Sequence, residues 1–186
     1  MSLLALRDIA CLRGGRLLFE GLSLTLGAGQ AALITGPNGA GKSSLIRIAA
    51  GLLPASAGTV GRAGAALADE GLALDSRLML GQALGFWTAL DRSSAEPALE
   101  AMGLERLVQV PVRMLSTGQR KRAVLARAIA SGAPLWLLDE PANGLDGDGL
   151  ERLAAAVAAH RRGGGAILVA SHQSLGLDDA ERVMLG

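Results

Sequence analysis

Three glycines, a lysine and a hydroxyl lie close together in Gly36-Pro37-Asn38-Gly39-Ala40-Gly41-Lys42-Ser43, the spacing of a phosphate-binding P-loop. Glycines let the backbone turn tightly, so that successive N–H groups and the positive end of a following helix surround an anion. Lys42 then reaches the β- and γ-phosphates of a nucleotide, and the Ser43 hydroxyl ligates Mg²⁺, with Ser44 beside it. A second cluster follows the apolar run Leu135 to Leu138, which ends abruptly in Asp139-Glu140. Next to a P-loop, such a strand end delivers one carboxylate, Asp139, to the metal and a second, Glu140, to the attacking water as general base. His172 ends the next apolar run. An imidazole there serves equally well as a structural group or as a sensor of the γ-phosphate.

These residues need strands behind them and a helix in front. Gln30 to Thr35 reads as a strand that runs directly into the glycine segment. Lys42 to Ala50, with Leu45, Ile46, Ala49 and Ala50 at helical spacing, reads as the helix that leaves it. Upstream, Leu22 to Leu26 alternates as a strand and breaks at Gly27-Ala28-Gly29. The glycine- and alanine-rich stretch Pro54 to Gly71 predicts turns and short strands. A helical pair is expected between Leu78 and Met102, with Pro97 in a first turn, and a basic-headed helix from Thr117 to Ser131. Leu135 to Asp139 and Ala166 to Ala170 have the profile of buried parallel strands, separated by a helix over Gly147 to Arg162; Arg182 to Gly186 can add a short one. Ligands of open α/β sheets collect at the C-terminal strand edge.

Composition excludes several functions. The 186 residues carry 18 Lys+Arg against 17 Asp+Glu, a formal charge of +1, which leaves no basic footprint for nucleic acid. Aromatics are Phe19, Phe86, Trp87 and Trp136, too few for base-stacking platforms. Cys11 stands alone, so neither an internal disulfide nor a multi-thiolate zinc site is available. The first residues show neither a basic leader nor an apolar run ahead of a cleavage site, and no apolar run approaches about 20 residues, so the sequence predicts a chain without a targeting or spanning segment. The mean hydropathy of +0.36 nevertheless points to apolar surface that a partner covers.

About twenty residues ahead of Asp139, Leu115-Ser116-Thr117-Gly118-Gln119 closely resembles the signature motif LSGGQ of ATP-binding cassette (ABC) ATPases. The resemblance spans nearly the whole chain, with the motifs in the family's order: Gly36 to Ser43, Leu115 to Gln119, Leu135 to Glu140, Asn143-Gly144-Leu145-Asp146 as the D-loop, and His172 as the switch histidine. It implies an α/β P-loop NTPase fold: a RecA-like parallel sheet core, an N-terminal antiparallel β segment and a small helical insert at about residues 72–131, all in one domain over residues 1–186. It also implies ATP and Mg²⁺ as cofactors and Lys42, Glu140 and His172 as catalytic groups. Two copies would join head to tail, each nucleotide lying between one P-loop and Ser116, Gly118 and Gln119 of the other copy. Three positions depart from the pattern. Thr117 replaces a glycine, which is costly only if its φ is positive. The adenine-stacking aromatic is missing, and Arg13, whose planar guanidinium can stack, occupies the matching position. Asp69-Glu70-Gly71 stands where a glutamine contacts Mg²⁺ and water. Either Glu70 takes over as a metal ligand or the coupling differs, and Gln82 is too distant to substitute.

A single short cassette with a compact helical insert is similar to the separate ATP-binding subunits of bacterial transporters. The runs Leu18-Phe19-Glu20-Gly21-Leu22-Ser23 and Ser171-His172-Gln173-Ser174-Leu175 most resemble the heme-exporter subunits of cytochrome c maturation. That resemblance implies a peripheral protein on the cytoplasmic face of the bacterial inner membrane. It implies membrane permease subunits as partners, docked in the groove around Glu70 to Trp87, with a heme chaperone met only indirectly. No attachment motif for heme is present in Cys11, His160 or His172. An ATPase for another exported substrate, and a nucleotide-gated interaction module without turnover, remain the alternatives; Glu140 argues against the latter.

Overall fold

In β1 (Ser2–Arg13) the buried side chains run Leu4, Leu6, then change phase to Ile9 and Cys11. The change has a local cause. Asp8 adopts a left-handed φ of 51°, its N–H donates to Ser23 Oγ at 2.9 Å, and the antiparallel pairing with β2 (Arg16–Gly27) shifts register between Leu6 and Ile9. Such an irregularity re-aims the side chains that follow it, so both halves of β1 face one core. β2 begins earlier than the Leu22 to Leu26 alternation predicts, because Phe19 is also buried and the hairpin closes at Gly14-Gly15. With β4 (Ala57–Arg62) on the other side of β1, the order of this sheet is β2-β1-β4.

The computed structural model describes residues 2–71, 74–173 and 175–186. Ser174, part of the run that carries the resemblance to heme-exporter subunits, and positions 72 and 73 at the start of the expected insert lie outside the described residues.

A second, fully parallel sheet has the order β5-β6-β7-β3-β8, built from β3 (Ala31–Thr35), β5 (Ala65–Ala68), β6 (Leu135–Asp139), β7 (Ala166–Ala170) and β8 (Glu181–Met184). Every residue of β6 and β7 is buried, as their uninterrupted apolar character predicts. Successive side chains enter different layers. Leu135, Leu137 and Leu168 pack with Leu4, Leu6, Leu45 and Ile46 of the antiparallel sheet and α1 (Lys42–Ala49). Trp136, Leu138, Ile167 and Val169 pack with α4 (Thr117–Ala130) and α5 (Gly147–Arg162). α2 (Leu80–Asp91), α3 (Glu96–Ala101) and two 3₁₀ turns contribute Leu84, Leu99, Leu104 and Val112 to that same cluster, so the insert shares a continuous core with the sheet. Removing one such leucine from water is worth about 2 kcal/mol, and the continuity fixes α4 relative to the strand ends. The helix starts are encoded locally. Asp146 Oδ1 accepts the Gly149 N–H at 2.9 Å to begin α5, and Pro97 occupies the first turn of α3.

Candidate functional site: a P-loop cavity at the parallel-sheet edge

β7 lies between β6 and β3, in register with both. The segments that leave the three strands, Asp139–Glu140, Ser171–His172 and Gly36–Gly41, therefore emerge side by side at one edge. This juxtaposition makes the sequence-distant carboxylates, histidine and glycine loop neighbours.

The loop itself is tightly constrained. Gly36, Gly39 and Gly41 have φ values of 140°, 83° and 105°. Ala40 N–H donates to Pro37 O at 3.2 Å, and Leu45 N–H donates to Gly41 O at 2.8 Å as α1 begins. Lys42 is only 8% exposed, and its Nζ donates to Gly36 O at 2.8 Å and Pro37 O at 3.2 Å. The ammonium is thus held across the mouth of the loop by two carbonyls of the loop. Lys42, Ser43, Ser44, Asn38, Gly39, Gly41 and Glu140 line one cavity of about 330 Å³, together with Arg13 and Leu18. Arg13, at the end of β1, is placed at the cavity by the β1–β2 hairpin.

Asp139 is buried, and its Oδ1 has no hydrogen-bond partner among the described residues. A buried carboxylate oxygen left unpaired is costly, and the Ser43 hydroxyl and Asp139 are hard oxygen donors of the type Mg²⁺ takes. Among the described residues no group of three or more His, Cys, Asp or Glu side chains could hold a metal by itself.

Glu140 follows differently. Its N–H donates to Ala170 O at 2.8 Å, which extends the β6–β7 ladder by one residue. The chain then turns at a φ of 45°, a left-handed conformation that costs a non-glycine residue about 1 kcal/mol. The reversal leaves the Glu140 carboxylate, 16% exposed, with Oε1 3.4 Å from Nε2 of the more open His172. Strain held at a strand end by a ladder bond is the kind found where a side chain must be aimed.

Glu70, for which a metal-ligand role or a different coupling was left open, is not among the residues lining this cavity. Its strand, β5, is the edge strand beyond β6, separated from β3 by β6 and β7, so Asp69-Glu70 emerges beside α4. There the two residues line a separate cavity of about 410 Å³ with Thr117, Arg120, Lys121, Val124, Asn143 and Gly144. Asp69 also lies 3.7 Å from Arg47 of α1.

Ser116, Gly118 and Gln119 do not line the P-loop cavity of their own chain. Ser116 caps α4: its Oγ accepts the Gln119 N–H at 3.2 Å, and Gln119 Oε1 accepts the Ser116 N–H at 2.9 Å. Thr117, the first helical residue, is absent from the residues with positive φ, so its Cβ is accommodated without strain. Its Cγ2 lies 3.6 Å from the Cβ position of Gly144 in the D-loop segment.

Sequence reasoning missed Phe19 and Lys121. The Phe19 ring approaches within 2.9 Å of the Cβ position of Gly41, so this aromatic supports the loop from beneath; its phase in β2 was the available signal. Lys121 was read only as part of a basic helix start. It is half-buried, and burial lowers its pKa against the opposing pull of Glu70, Asp139, Asp69 and Glu140, in that order.

A profile of the family described as ABC transporter matches residues 19–143. The cytochrome c biogenesis ATP-binding export protein CcmA of Sphingopyxis alaskensis is 56% identical over 188 residues, spanning 99% of this chain and 97% of that protein. The protein of the same name from Novosphingobium aromaticivorans is 59% identical over 172 residues, spanning 92% and 89%. Among solved structures, the ATP-binding subunit of an ABC transporter superposes with a TM-score of 0.87 at 23% identity, over 98% of this chain and 85% of that one. A dimeric cassette in a post-hydrolysis state, bound to ADP and Pi, superposes with a TM-score of 0.86 at 20% identity, over 98% and 94%. A P-loop cavity at the edge of a parallel sheet, on a chain this close to curated relatives over almost its full length, leads to one conclusion: the chain belongs to the ABC transporter family, in the group of cytochrome c biogenesis ATP-binding export proteins.

Proposed function

We propose that this chain is the ATP-hydrolysing subunit of a heme exporter serving cytochrome c biogenesis, acting as a head-to-tail pair of cassettes on membrane permease subunits. The observation that carries the hydrolytic step is the Glu140–His172 pair, 3.4 Å apart, with Glu140 lining the cavity that also holds Lys42 and Ser43. The export role is supported by relatives at 56% and 59% identity that bear the cytochrome c biogenesis name.

Lys42 exchanges its Gly36 and Pro37 carbonyl partners for phosphate oxygens, and the loop amides from Gly39 to Ser44 hold the remaining charge. The Arg13 guanidinium provides a flat face for the adenine. Ser43 Oγ and Asp139 would hold Mg²⁺, which would supply Lewis-acid stabilisation of phosphate charge. Glu140 accepts the proton of the attacking water, and the His172 N–H holds the Glu140 carboxylate in place. Ser116, Gly118 and Gln119 of the second copy close the site over the γ-phosphate, using the N-terminal end of α4.

No helix among the described residues is long and apolar enough to cross a membrane. Leu78, Met79, Phe86 and Leu90 are exposed at and along α2 and offer the apolar surface for the permease subunits, at the inner-membrane face on the cytoplasmic side. The test is capture of the tagged Glu140→Gln chain, with ATP, from detergent-solubilised membranes of its host. Recovery of small polytopic subunits with a heme chaperone is expected. A different permease redirects the substrate, and soluble proteins alone refute the transporter reading.

A further inference from the structure

At the edge of the parallel sheet opposite the P-loop, one side chain ties three segments together. Arg161 stands in the last turn of α5, its side chain 19% exposed. Its two terminal nitrogens donate to the two carboxylate oxygens of Asp179 at 2.8 and 2.6 Å, and its Nε donates to Gly29 O at 2.9 Å. Gly29 lies in the turn that leads into β3, and Asp179 stands two residues ahead of β8. A planar fork that fills both carboxylate oxygens and a backbone carbonyl holds the entrances of the two strands at a fixed offset. That offset has little else to fix it. β8 is an edge strand paired with β3 alone, and of its four residues Glu181, Arg182 and Met184 are exposed. Strand register is pinned by side chains buried on one face and is weakly specified where these are few. Leu185, just past β8, is buried, and its N–H donates to Thr35 O at 2.9 Å. The strand is thus held at its head by Arg161 and at its foot by Leu185.

The foot lies against the phosphate loop. The Cβ position of Gly36 is blocked by the Leu185 carbonyl, and the Cβ position of Gly186 is 3.3 Å from Pro37 Cδ and 3.8 Å from Ala40 Cβ. Gly36 and Pro37 are also the residues whose carbonyls hold the Lys42 ammonium. A slip of β8 along β3 therefore displaces the carbonyls from which Lys42 is presented to a phosphate. We infer that Arg161 is a positioning residue for nucleotide binding: through Asp179 and Gly29 it sets the register of β8 on β3, and so the seat of Leu185 and Gly186 against Gly36, Pro37 and Ala40. The effect is carried along the four residues of β8, a reach of about 13 Å. It falls on the affinity of the loop and not on the proton transfer at Glu140, which leaves β6, separated from β8 by β7 and β3. The inference rests on the reading of this loop as a nucleotide site.

The experiment compares the full parent chain with Arg161→Met, Arg161→Lys and Asp179→Asn, by amide hydrogen exchange without nucleotide and by titration with ATP. Arg161→Met keeps the length of the side chain and loses the fork; Asp179→Asn alters a side chain that is 69% exposed and leaves folding intact. Expected in both is faster exchange at residues 181–185 and, with it, at 36–41. ATP binds about three- to fivefold more weakly, the ceiling for an ion pair with one exposed partner. Arg161→Lys, which keeps one ionic contact without the fork, falls between, and adding Asp179→Asn to Arg161→Met weakens binding no further. In steady-state hydrolysis KM for ATP rises by the same factor while kcat stays within about twofold. Val157→Ala, one turn back on α5 and buried, lowers stability but leaves exchange at 36–41 and ATP affinity unchanged, which separates positioning from mere destabilisation. Unchanged exchange at 181–185 in Arg161→Met overturns the inference. So does faster exchange there with 36–41 and ATP affinity unmoved, or an equal loss of affinity in Val157→Ala. A parent chain that binds no ATP refutes the nucleotide reading instead, and exchange at 36–41 still decides whether Arg161 positions the loop.

Discussion

Gly36 and Gly39 lie in the same phosphate loop and both have positive φ, yet replacing them by alanine should have very different consequences. A Cβ on Gly36 stands 2.3 Å from the Leu185 carbonyl oxygen, 3.2 Å from its carbon and 3.4 Å from its nitrogen. Leu185 must retreat by at least about 0.7 Å. Its N–H donates to Thr35 O at 2.9 Å, the last bond holding the chain beyond β8 to the strand that feeds the loop. Losing that bond costs about 1 kcal/mol, and an alanine at φ 140° adds about 1–3 kcal/mol of backbone strain. Gly39, at φ 83°, has nothing within 4 Å of its Cβ position and meets only the left-handed penalty of about 1 kcal/mol. In a chain of this size each kcal/mol lowers Tm by about 2–4 °C. Thermal unfolding followed by circular dichroism without nucleotide should therefore show a drop of roughly 5–15 °C for Gly36→Ala and roughly 2–4 °C for Gly39→Ala. Equal drops would refute the claim that the C-terminal segment buttresses the loop.

Glu140→Gln keeps the size and the backbone bond to Ala170 but removes the proton acceptor, so phosphate release should fall about 10²–10⁴-fold while ATP is retained; hydrolysis at the parent rate would remove Glu140 from the base role. Arg13→Ala should weaken ATP binding several-fold yet leave competition by inorganic triphosphate unchanged, because only the base loses its platform; parallel losses for both ligands would show that Arg13 reads phosphate instead. His160 stacks on Trp136 with centroids 3.9 Å apart and 10° between planes, and burial holds its pKa below the ordinary value of 6.5. The unfolded chain therefore takes up its proton first, and the stability present above pH 6.5 is lost progressively as pH falls below it. Urea midpoints between pH 7.5 and pH 5 should decline less in His160→Phe than in the parent, and identical slopes would refute the assignment.

Most of the strand and helix plan was legible because its signals are local. Buried parallel strands read as unbroken apolar runs, and β6, β7 and α5 match the expected Leu135 to Asp139, Ala166 to Ala170 and Gly147 to Arg162. The N-terminal hairpin was harder, since the irregularity at Asp8 interrupts the alternation that betrays a half-buried strand. The neighbourhood of the P-loop with Asp139, Glu140 and His172 was inferred from a motif order, whereas its cause, β7 seated between β3 and β6, is a matter of strand order that no local pattern carries. The same applies to Glu70. Its position in the chain left a metal-ligand role open, and the place of β5 at the sheet edge puts it in the lining of a separate cavity beside α4.

In the proposed head-to-tail pairing, the distribution of satisfied and unsatisfied groups explains why one copy would be half of a hydrolytic site. Within a chain, the signature residues are content: Ser116 and Gln119 exchange two hydrogen bonds and close the start of α4. The P-loop is not: among the described residues Lys42 holds only loop carbonyls and Asp139 Oδ1 has no partner. A nucleotide therefore binds first where the unpaid electrostatics lie, in the loop cavity. In the proposed pairing it would gain the end of a second α4 only afterwards, as an exposed and pre-organised dipole. Binding to the loop would then require one copy, and closure two. In that proposed pairing, hydrolysis at Glu140 would dissolve the second contact, because the γ-phosphate that would span the copies is the one that leaves.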